Sequence, residues 1–362
     1  MSGDQTTVVF TSYSNENPYF SLLFDSLEQV EVEITDEPIT LFLPLTRIVF
    51  RSEEIDVIHL GWLYRFFFDY DVTPFKSINH LIVVFRTVLF CLDLILVRIS
   101  GTRLVWTVHN KYHHERKYYS IEKVLNIFVA NIVDSIAVKC ESARQTITHI
   151  YKITNKSKVH VIPDGNYSEA YPDEVDKNTA RQYLNINDSP FIYLFFGLIR
   201  PYKGVDDLID TYSSIDDDST ELWIVGNPDS KEMEQMVREM SNNNDSVHSR
   251  LNYIPTDEVQ YYLNAADVLV LPYTDVLNSG TVHLGLTFGK PIIAPKIGCI
   301  PSLLSEENST LLYNQSESSG LKSSLIRGRK SPVDLIGNAN KRKSEQYEWF
   351  KSAKLYKEIY VS

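Results

Sequence analysis

The sequence is poor in cysteine, and its first residues predict no secretory leader. Cys91, Cys140 and Cys299 are its three cysteines among 362 residues; they lie far apart in apolar contexts and have no metal or redox spacing. We interpret them as buried free thiols in a reducing compartment. The start, Met-Ser-Gly-Asp-Gln, has neither the basic nor the apolar region of a signal peptide. Both features predict a cytoplasmic protein.

The chain also lacks a net positive charge. Its formal net charge of −12 argues against a general nucleic-acid binder. However, residues 60–160 carry 14 Lys and Arg against 7 Asp and Glu, a surplus of +7 that leaves −19 for the rest. This basic part holds the apolar run Leu81–Val97, which is too short, and too interrupted by Arg86 and Asp93, for a convincing transmembrane helix. The run is either a buried domain helix or a helix on an anionic membrane surface, flanked by Arg98 and Arg103.

Apolar runs of strand length alternate with helical patterns throughout, which indicates an α/β protein with parallel sheets. The length predicts two domains. We expect a surface loop at residues 314–331 and helical structure at residues 333–360. The predicted strands are Thr7–Thr11, Thr40–Leu43, Asp56–Leu60, Leu104–Val108, Ser135–Val138, His160–Ile162, Phe191–Phe196, Glu221–Val225, Asn252–Ile254, Val268–Pro272 and Pro291–Ala294.

The most informative segment follows the predicted strand Phe191–Phe196. This strand is almost entirely apolar, ends at Gly197, and is followed by Arg200 and Lys203 before the apolar-periodic stretch Val205–Tyr212. Two cations therefore lie at the carboxyl edge of a sheet and beside a helix start, where phosphate binds favourably. An isolated Arg-x-x-Lys is more often an ordinary basic surface loop.

Two further strands end in residues suited to an anion. Trp223-Ile-Val leads into Gly226, and the strand from Val268 leads into Ser279-Gly280-Thr281, where a helix starts. Backbone N–H groups of these last three residues would point at a diphosphate. Alone, Ser-Gly-Thr is a plain helix cap. Together with the Arg200 and Lys203 loop at one sheet edge, it predicts a phosphate site.

In order along the chain, these segments resemble the C-terminal half of GT-B-fold glycosyltransferases related to glycosyltransferase family four. The first half adds segments similar to that family's acceptor-side domain, and the resemblance spans roughly residues 50–300. The matching segments are Gly-x-x-Arg-Pro-Tyr-Lys-Gly (197–204), Ile-Val-Gly ending at 226, residues 265–273, residues 288–295, Asp-Val-Ile-His-Leu (56–60) and Leu-Val-Trp-Thr-Val-His-Asn (104–110).

The resemblance implies two Rossmann-like domains with parallel sheets facing a central cleft. Residues 1–170 would form the acceptor-side domain and residues 171–335 the nucleotide-sugar domain. Residues 336–362 would form a helix that crosses back to the first domain. The donor would be a nucleotide-diphosphate sugar, a substrate and not a cofactor, so that no cofactor is expected.

The resemblance also implies a donor site. Arg200 and Lys203 would stabilise the diphosphate leaving group, and backbone groups around Ile254 would hold the base. We expect no metal, because the two cations and the amide groups take its place; residues 216–218, Asp-Asp-Asp, read as a solvated turn. The expected donor-binding set is Arg200, Lys203, Gly226, Ile254, Tyr273, Asp275, Ser279, Gly280 and Thr281.

The chain departs from the family's pattern at two places. Leu198 stands where the family usually has an Arg, and Arg200 follows two residues later. Val276 and Leu284 stand where two glutamates eight residues apart are expected, although Asp275 is adjacent to the first. The loss puts a retaining mechanism in doubt. An inverting subfamily would require a general base that deprotonates the acceptor hydroxyl.

The segment after the predicted strand Leu104–Val108 supplies candidates for that base. His109 matches the family's His that faces the donor sugar, and His114 and Glu115 are the candidates for the base itself; Glu16 is a further one. The alternative is that this charged, aromatic stretch only caps the strand. His113 and His114 point different ways and have no third ligand at zinc spacing, so no metal site is predicted.

We therefore predict a metal-independent hexosyltransferase that is cytoplasmic and peripheral at the inner membrane face. It would move a sugar from a nucleotide-diphosphate sugar to a glycan or lipid-linked glycan, with anionic membrane contacted through its N-terminal domain. The alternative is a catalytically degenerate partner subunit that binds sugar nucleotides. A dinucleotide-dependent oxidoreductase is disfavoured, because no Gly-x-Gly-x-x-Gly follows any predicted strand.

Overall fold

The computed structural model describes residues 5–11, 17–35, 42–51, 55–67, 76–187 and 190–362. The chain forms two compact units. The first comprises Met1–Gly165 together with Glu348–Ser362, and the second comprises Asn166–Tyr347. Each unit is built around one six-stranded sheet whose strands are all parallel.

The sheet of the first unit has the strand order β2-β1-β3-β4-β5-β6. All residues of β3 and β5 are buried, as expected of inner strands covered on both faces. The strands are β1 (Thr6–Phe10), β2 (Val32–Thr35), β3 (Val57–Leu60), β4 (Arg103–Thr107), β5 (Ser135–Val138) and β6 (Val159–Val161). The helices are α1 (Pro18–Glu28), α2 (Pro44–Arg51), α3 (Lys76–Ser100), α4 (Tyr119–Ile132), α5 (Glu141–Ile150) and, from the chain end, α14 (Trp349–Val361).

The sheet of the second unit has the order β12-β11-β10-β7-β8-β9. Its central strand, the apolar segment that precedes the Arg200 and Lys203 loop, is buried over five of its six residues. The strands are β7 (Phe191–Phe196), β8 (Thr220–Val225), β9 (Val247–Arg250), β10 (Val268–Val270), β11 (Ile292–Pro295) and β12 (Leu312–Tyr313). The helices are α6 (Lys177–Tyr183), α7 (Val205–Ser213), α8 (Lys231–Asn242), α9 (Val259–Ala265), α10 (Gly280–Thr287), α11 (Ile300–Leu303), α12 (Gly320–Lys330) and α13 (Val333–Ser344).

The apolar run of the basic region is a long helix, α3. Val83, Phe90 and Leu94 form part of a buried face, and Asp93 is buried where it accepts hydrogen bonds from the N–H groups of Leu45 and Thr46 at the start of α2. Asp93 therefore ties α3 to its own unit. Among the described residues, Ser77–Ser100 is the one helix long and apolar enough to cross a membrane by length and composition, with a mean hydropathy of 2.3. The expectation that this run is too short was wrong.

The C-terminal helix α14 belongs to the first unit, as the resemblance implied, and it packs against α1. It buries Trp349, Tyr356 and Tyr360 in the core of that unit. The first sheet thus receives a covering helix from a segment that follows the whole second unit in sequence.

Three predictions of secondary structure need correction. In the predicted strand Thr40–Leu43, residues 42 and 43 are not in a strand, and residues 40 and 41 lie outside the described residues. The second strand is Val32–Thr35 instead. The strand predicted at Asn252–Ile254 is a loop. The strand of this region is the half-exposed edge strand β9, which comes just before that loop. Residues 314–331, predicted to be a surface loop, contain the helix α12. Its buried face includes the small residues Ser324 and Gly328, so the sequence shows only a weak apolar pattern there.

Of the three cysteines, Cys91 in α3 is a free thiol, as predicted, but it is half-buried and not buried. The interpretation as free thiols is not confirmed for Cys140 and Cys299.

Candidate diphosphate site and candidate acceptor-side residues

Three segments of the second unit meet at the carboxyl edge of its sheet. Gly197 and Gly226, which follow β7 and β8, have φ angles of 122° and 148°. A Cβ atom on Gly226 would lie 1.8 Å from the Gly197 carbonyl oxygen, and one on Gly197 would lie 3.3 Å from Thr281 Oγ1. The backbones approach so closely that only glycine fits between β7 and β8. The prediction that Gly197 and Thr281 share one sheet edge is thus met by the geometry.

The loop with Arg200 and Lys203 is held against the end of β10. Residues Pro201–Lys203 form a turn of 3-10 helix, and Gly204 follows in the left-handed conformation with a φ of 66°. A Cβ on Gly204 would lie 2.3 Å from the Pro272 carbonyl oxygen, and the Thr274 N–H donates to the Tyr202 carbonyl oxygen at 2.9 Å. These contacts fix the position of both cations relative to the segment that leads to α10.

Lys203 is a buried cation that faces an aromatic ring. Only 9% of the residue is exposed, and its Nζ lies 4.0 Å from the centroid of the Tyr273 ring. Within the described part of the chain it forms no ion pair with a carboxylate. The Nε of Arg200 is likewise buried without a hydrogen-bond partner there. Buried positive groups without an anion are costly, so this arrangement favours an anionic ligand.

The start of α10 supplies hydrogen-bond donors to the same edge. Ser279 caps this helix, its Oγ accepting the Val282 N–H at 3.4 Å and lying 3.2 Å from the Tyr273 hydroxyl. The first N–H groups of a helix have no intrahelical acceptor, which leaves those of Gly280 and Thr281 for a ligand. Tyr273 thus contacts both the cation and the helix cap.

The remaining donor-site predictions stay predictions. Ile254 is buried in the loop after β9 while its neighbour Tyr253 is 65% exposed, so the loop can offer backbone groups and one aromatic face. Asp275 lies two residues after Tyr273 and is half-buried. Val276 and Leu284, at the places expected to hold glutamates, are both buried apolar side chains.

In the first unit, His109 follows β4 and packs between two aromatic rings. Its ring centroid lies 4.5 Å from that of Trp62, nearly parallel, and 5.4 Å from that of Tyr19, edge to face. Burial, together with the positive charge of Lys139, lowers the pKa of His109 to about 3, and Asp164 only partly opposes this. The imidazole is therefore neutral at pH 7. It suits hydrogen bonding to a sugar hydroxyl better than taking up a proton.

A buried polar network lies beside His109. Lys139 pairs with Asp164 at 2.6 Å and its Nζ donates to the hydroxyls of Tyr19 and Tyr356, at 3.2 and 3.0 Å. Burial alone lowers the pKa of Lys139, but Asp164 and Tyr356 outweigh it and raise the pKa above its usual range. The network links α1, β5 and α14, and no local sequence pattern marks it.

The two predicted bases differ in their surroundings. His114 is half-buried and Glu115 is exposed. The Glu115 N–H donates to His113 Nδ1 at 3.3 Å, which shapes the loop without engaging the Glu115 carboxylate. Glu16 lies outside the described residues. No described group of three His, Cys, Asp or Glu side chains is placed to hold a metal ion.

Comparison with known proteins places the similar ones among glycosyltransferases. Residues 176–342 match the family described as Glycosyl transferases group 1. The GDP-mannose:glycolipid 4-beta-D-mannosyltransferase of Xanthomonas campestris pv. campestris is 26% identical over 295 residues, covering 80% of this chain and 73% of the relative.

Solved structures resemble the fold over nearly the whole chain. Sucrose-phosphate synthase from Thermosynechococcus elongatus superimposes with a TM-score of 0.73 at 16% identity, covering 99% of each chain. HepE from Anabaena, in complex with UDP-glucose, gives a TM-score of 0.71 at 14% identity and covers 98% of this chain and 99% of that one.

Two parallel six-stranded sheets with a cation-rich strand edge in the second unit define a protein of the GT-B fold, as the sequence predicted. Residues 176–342, which match the group 1 glycosyltransferases, make up most of the second unit. The chain is a glycosyltransferase.

Proposed function

We propose that this chain transfers a hexosyl group from a nucleotide-diphosphate sugar to a glycolipid, with inversion at the anomeric carbon. GDP-mannose is the first donor to test, because the Xanthomonas relative is named for it. The glycolipid acceptor and the β-linkage are taken from the same name. The donor, the acceptor and the linkage go beyond what the family match alone supports, and the proposal depends on the donor site of the second unit.

The observation that carries the proposal is the placement of Lys203. A lysine that is 9% exposed and faces the Tyr273 ring, with Arg200 and the start of α10 beside it, forms a preorganised positive site. Such a site stabilises the charge that builds on the diphosphate as the glycosidic bond breaks. The leaving group therefore needs no proton from the enzyme.

Two features favour inversion. The sugar–phosphate bond of GDP-mannose is α, so a β-linked product requires one displacement at the anomeric carbon. In addition, Val276 and Leu284 leave two apolar side chains where glutamates are expected in the retaining relatives. An inverting transfer needs a base for the acceptor hydroxyl.

Substitution Lys203→Met tests the donor site. We expect it to lower kcat/KM for GDP-mannose by about 100-fold or more, because the side chain fills the same volume but brings no charge to the leaving group. Lys231→Met, at an exposed lysine at the start of α8 in the same unit, is the matched control and should stay within about twofold of wild type. Transfer is measured as release of GDP with a lipid-linked oligosaccharide acceptor.

Two results would contradict the proposal. Full turnover by Lys203→Met would mean that the leaving group is stabilised elsewhere. Donor binding without transfer, over GDP and UDP sugars and a panel of glycolipids, would favour the degenerate partner subunit instead. Proton NMR of the product distinguishes an inverted from a retained anomeric linkage.

We further propose that the protein acts at the cytoplasmic face of a membrane, held there by α3. Its outer face carries exposed apolar side chains that include Leu81 (69% exposed), Phe85 (54%), Leu92 (48%) and Ile99 (76%). Because its inner face packs on α2 and α4 and is tied by buried Asp93, the helix suits lying in the interface better than crossing it. The +7 surplus of this region would add attraction to anionic lipid.

A further inference from the structure

A small cavity lies beside the end of β4 in the first unit. It has a volume of about 30 Å³ and is lined by Trp62, His109, Tyr112, His113, Glu122 and Asn126, among others. A cavity of this kind needs on the order of 10–15 Å³ to hold one water molecule. The space therefore admits a water or the hydroxyl of a ligand. Its lining is aromatic and polar, which is typical of sugar-binding surfaces.

Glu122 is the carboxylate of this cavity. It lies in the first turn of α4 and is only 5% exposed. Its Oε1 accepts the His113 N–H at 2.6 Å, whereas its Oε2 is buried with no hydrogen-bond partner in the described part of the chain. Leaving a carboxylate oxygen buried and unbonded costs free energy. Such an oxygen in a native structure is typical of a group that binds a ligand or a proton.

The surroundings of Glu122 set its protonation. Burial raises its pKa to about 7, although the His113 N–H and the positive charge of Arg116 oppose this shift. The other titratable groups that face it are Tyr112 in the same loop and Tyr151 at the end of α5. A base works best when its pKa lies near the working pH.

We propose that Glu122 is the general base that takes the proton from the acceptor hydroxyl during transfer. The inference rests on the proposed inverting function and names the residue that the mechanism requires. The hydroxyl oxygen forms the bond to the anomeric carbon, and the bond from that carbon to the phosphate oxygen breaks. The bonding electrons leave with the diphosphate, and the hydroxyl proton moves to Glu122 Oε2.

The other candidates are less suited to this step. His109 is kept neutral with a pKa of about 3, so it cannot hold the proton near pH 7. Glu115 is exposed to water. A carboxylate in water is a weaker base than one whose charge is desolvated. Glu122 alone among these three combines burial, an unbonded oxygen and a place in the cavity.

The structural alternative is that Glu122 only anchors the loop through the His113 N–H. Substitution Glu122→Gln separates the two roles, because the amide oxygen still accepts that hydrogen bond but cannot take up a proton. We expect kcat to fall by about 100-fold or more, while the Kd for GDP-mannose stays within about twofold and thermal unfolding is little changed. Glu28→Gln, at an exposed carboxylate on α1 of the same unit, is the matched control and should keep wild-type turnover within about threefold.

The pH profile gives a second readout that an anchoring role would not move. In the wild type, kcat/KM should fall as the pH drops below about 7, because the protonated carboxyl cannot accept a proton. The residual activity of Glu122→Gln should lack this acidic limb.

The outcomes of this experiment are distinguishable. An inverted product together with near-normal turnover by Glu122→Gln would overturn the assignment and leave the proposed function intact. A retained anomeric configuration in the wild-type product, or no transfer at all, would overturn both, because a base for the acceptor would then have no role. An inverted product with a large loss confined to kcat supports both.

Discussion

At the scale of single residues, two buried lysines have opposite surroundings. Lys139 in the first unit is paired with Asp164 at 2.6 Å and hydrogen-bonded to two tyrosine hydroxyls. Lys203 in the second unit has the Tyr273 ring 4.0 Å from its Nζ and no ion pair in the described residues. The charge of the first is compensated inside the protein, whereas that of the second remains available to an anion. The charge of the same side chain is thus neutralised in one place and left for the proposed donor in the other.

Removing the partner of Lys139 should therefore be severe. Asp164→Asn leaves a buried ammonium without a counter-charge, which costs about 3–5 kcal/mol in the free energy of unfolding. Urea unfolding of the first unit measures this loss. Adding Lys139→Met to Asp164→Asn should recover at least half of it, since no buried charge then remains.

The exposed pair Lys351–Glu348, at 2.6 Å in the same unit, provides the control. Glu348→Gln should cost less than about 1 kcal/mol, because an exposed ion pair is weak in water. If Asp164→Asn were as mild as this control, the Lys139 network would not be an ion-pair core.

The residues that could be predicted from sequence are those set by local order. Gly197, Arg200 and Lys203 follow one apolar strand within seven positions, and the end of that strand determines where they lie. Lys139 and Glu122 could not be found in this way. Lys139 depends on Tyr356, 217 positions away in sequence. The Glu122 carboxylate has one unbonded oxygen because the folded loop directs the His113 N–H to the other one.

At the scale of elements, α3 shows what an apolar pattern leaves undetermined. Its run of apolar residues marks a helix but has no polar side from which to orient it. The structure resolves this: Val83, Phe90 and Leu94 face the unit, and Leu81, Phe85 and similar residues are exposed. The helix thus has a buried face, as the first alternative raised from the sequence requires, and an exposed apolar face, for which membrane contact stays a proposal. Asp93, which interrupts the apolar run in the sequence, is buried and caps the start of α2.

The exposed face of α3 predicts binding to vesicles. The double substitution Leu81→Asn and Leu92→Asn should lower partitioning into phosphatidylglycerol-containing vesicles by at least about tenfold, because each leucine contributes about 1.5–3 kcal/mol when its side chain leaves water. Flotation in a density gradient measures the bound fraction. Binding should also weaken as salt rises from about 0.01 to 1 M, since screening shortens the reach of the basic residues.

Leu335→Asn is the matched control for this experiment, because Leu335 is 57% exposed and lies on α13 of the second unit. It should leave vesicle binding unchanged. Equal binding by the double α3 variant, or no wild-type binding to anionic vesicles at low salt, would exclude α3 as the membrane contact.

At the scale of the whole molecule, the chain leaves the first unit at Gly165 and returns to it at Glu348. The resemblance to GT-B enzymes implied this return, and composition alone would not have shown it, because α14 reads as an ordinary amphipathic tail. In the structure its aromatic residues complete the first unit's core. His59 Nδ1 lies 2.6 Å from the Tyr360 hydroxyl, and the Tyr356 hydroxyl forms hydrogen bonds with both Thr107 Oγ1 and Lys139 Nζ.

Deleting residues 349–362 should therefore unfold the first unit and spare the second. Losing a buried aromatic side chain costs about 3–5 kcal/mol, and α14 buries Trp349, Tyr356 and Tyr360. Their sum approaches the whole stability of a typical domain, about 5–15 kcal/mol.

Hydrogen exchange read by mass spectrometry should show β1, β3 and β4 losing protection, while β7, β8 and β10 exchange as in the wild type. Removing only the exposed pair Val361 and Ser362 is the control and should change neither set. Unchanged protection of β4 after the long deletion would mean that the first sheet is stable without α14, and the C-terminal helix would then be an accessory cover and not part of the core.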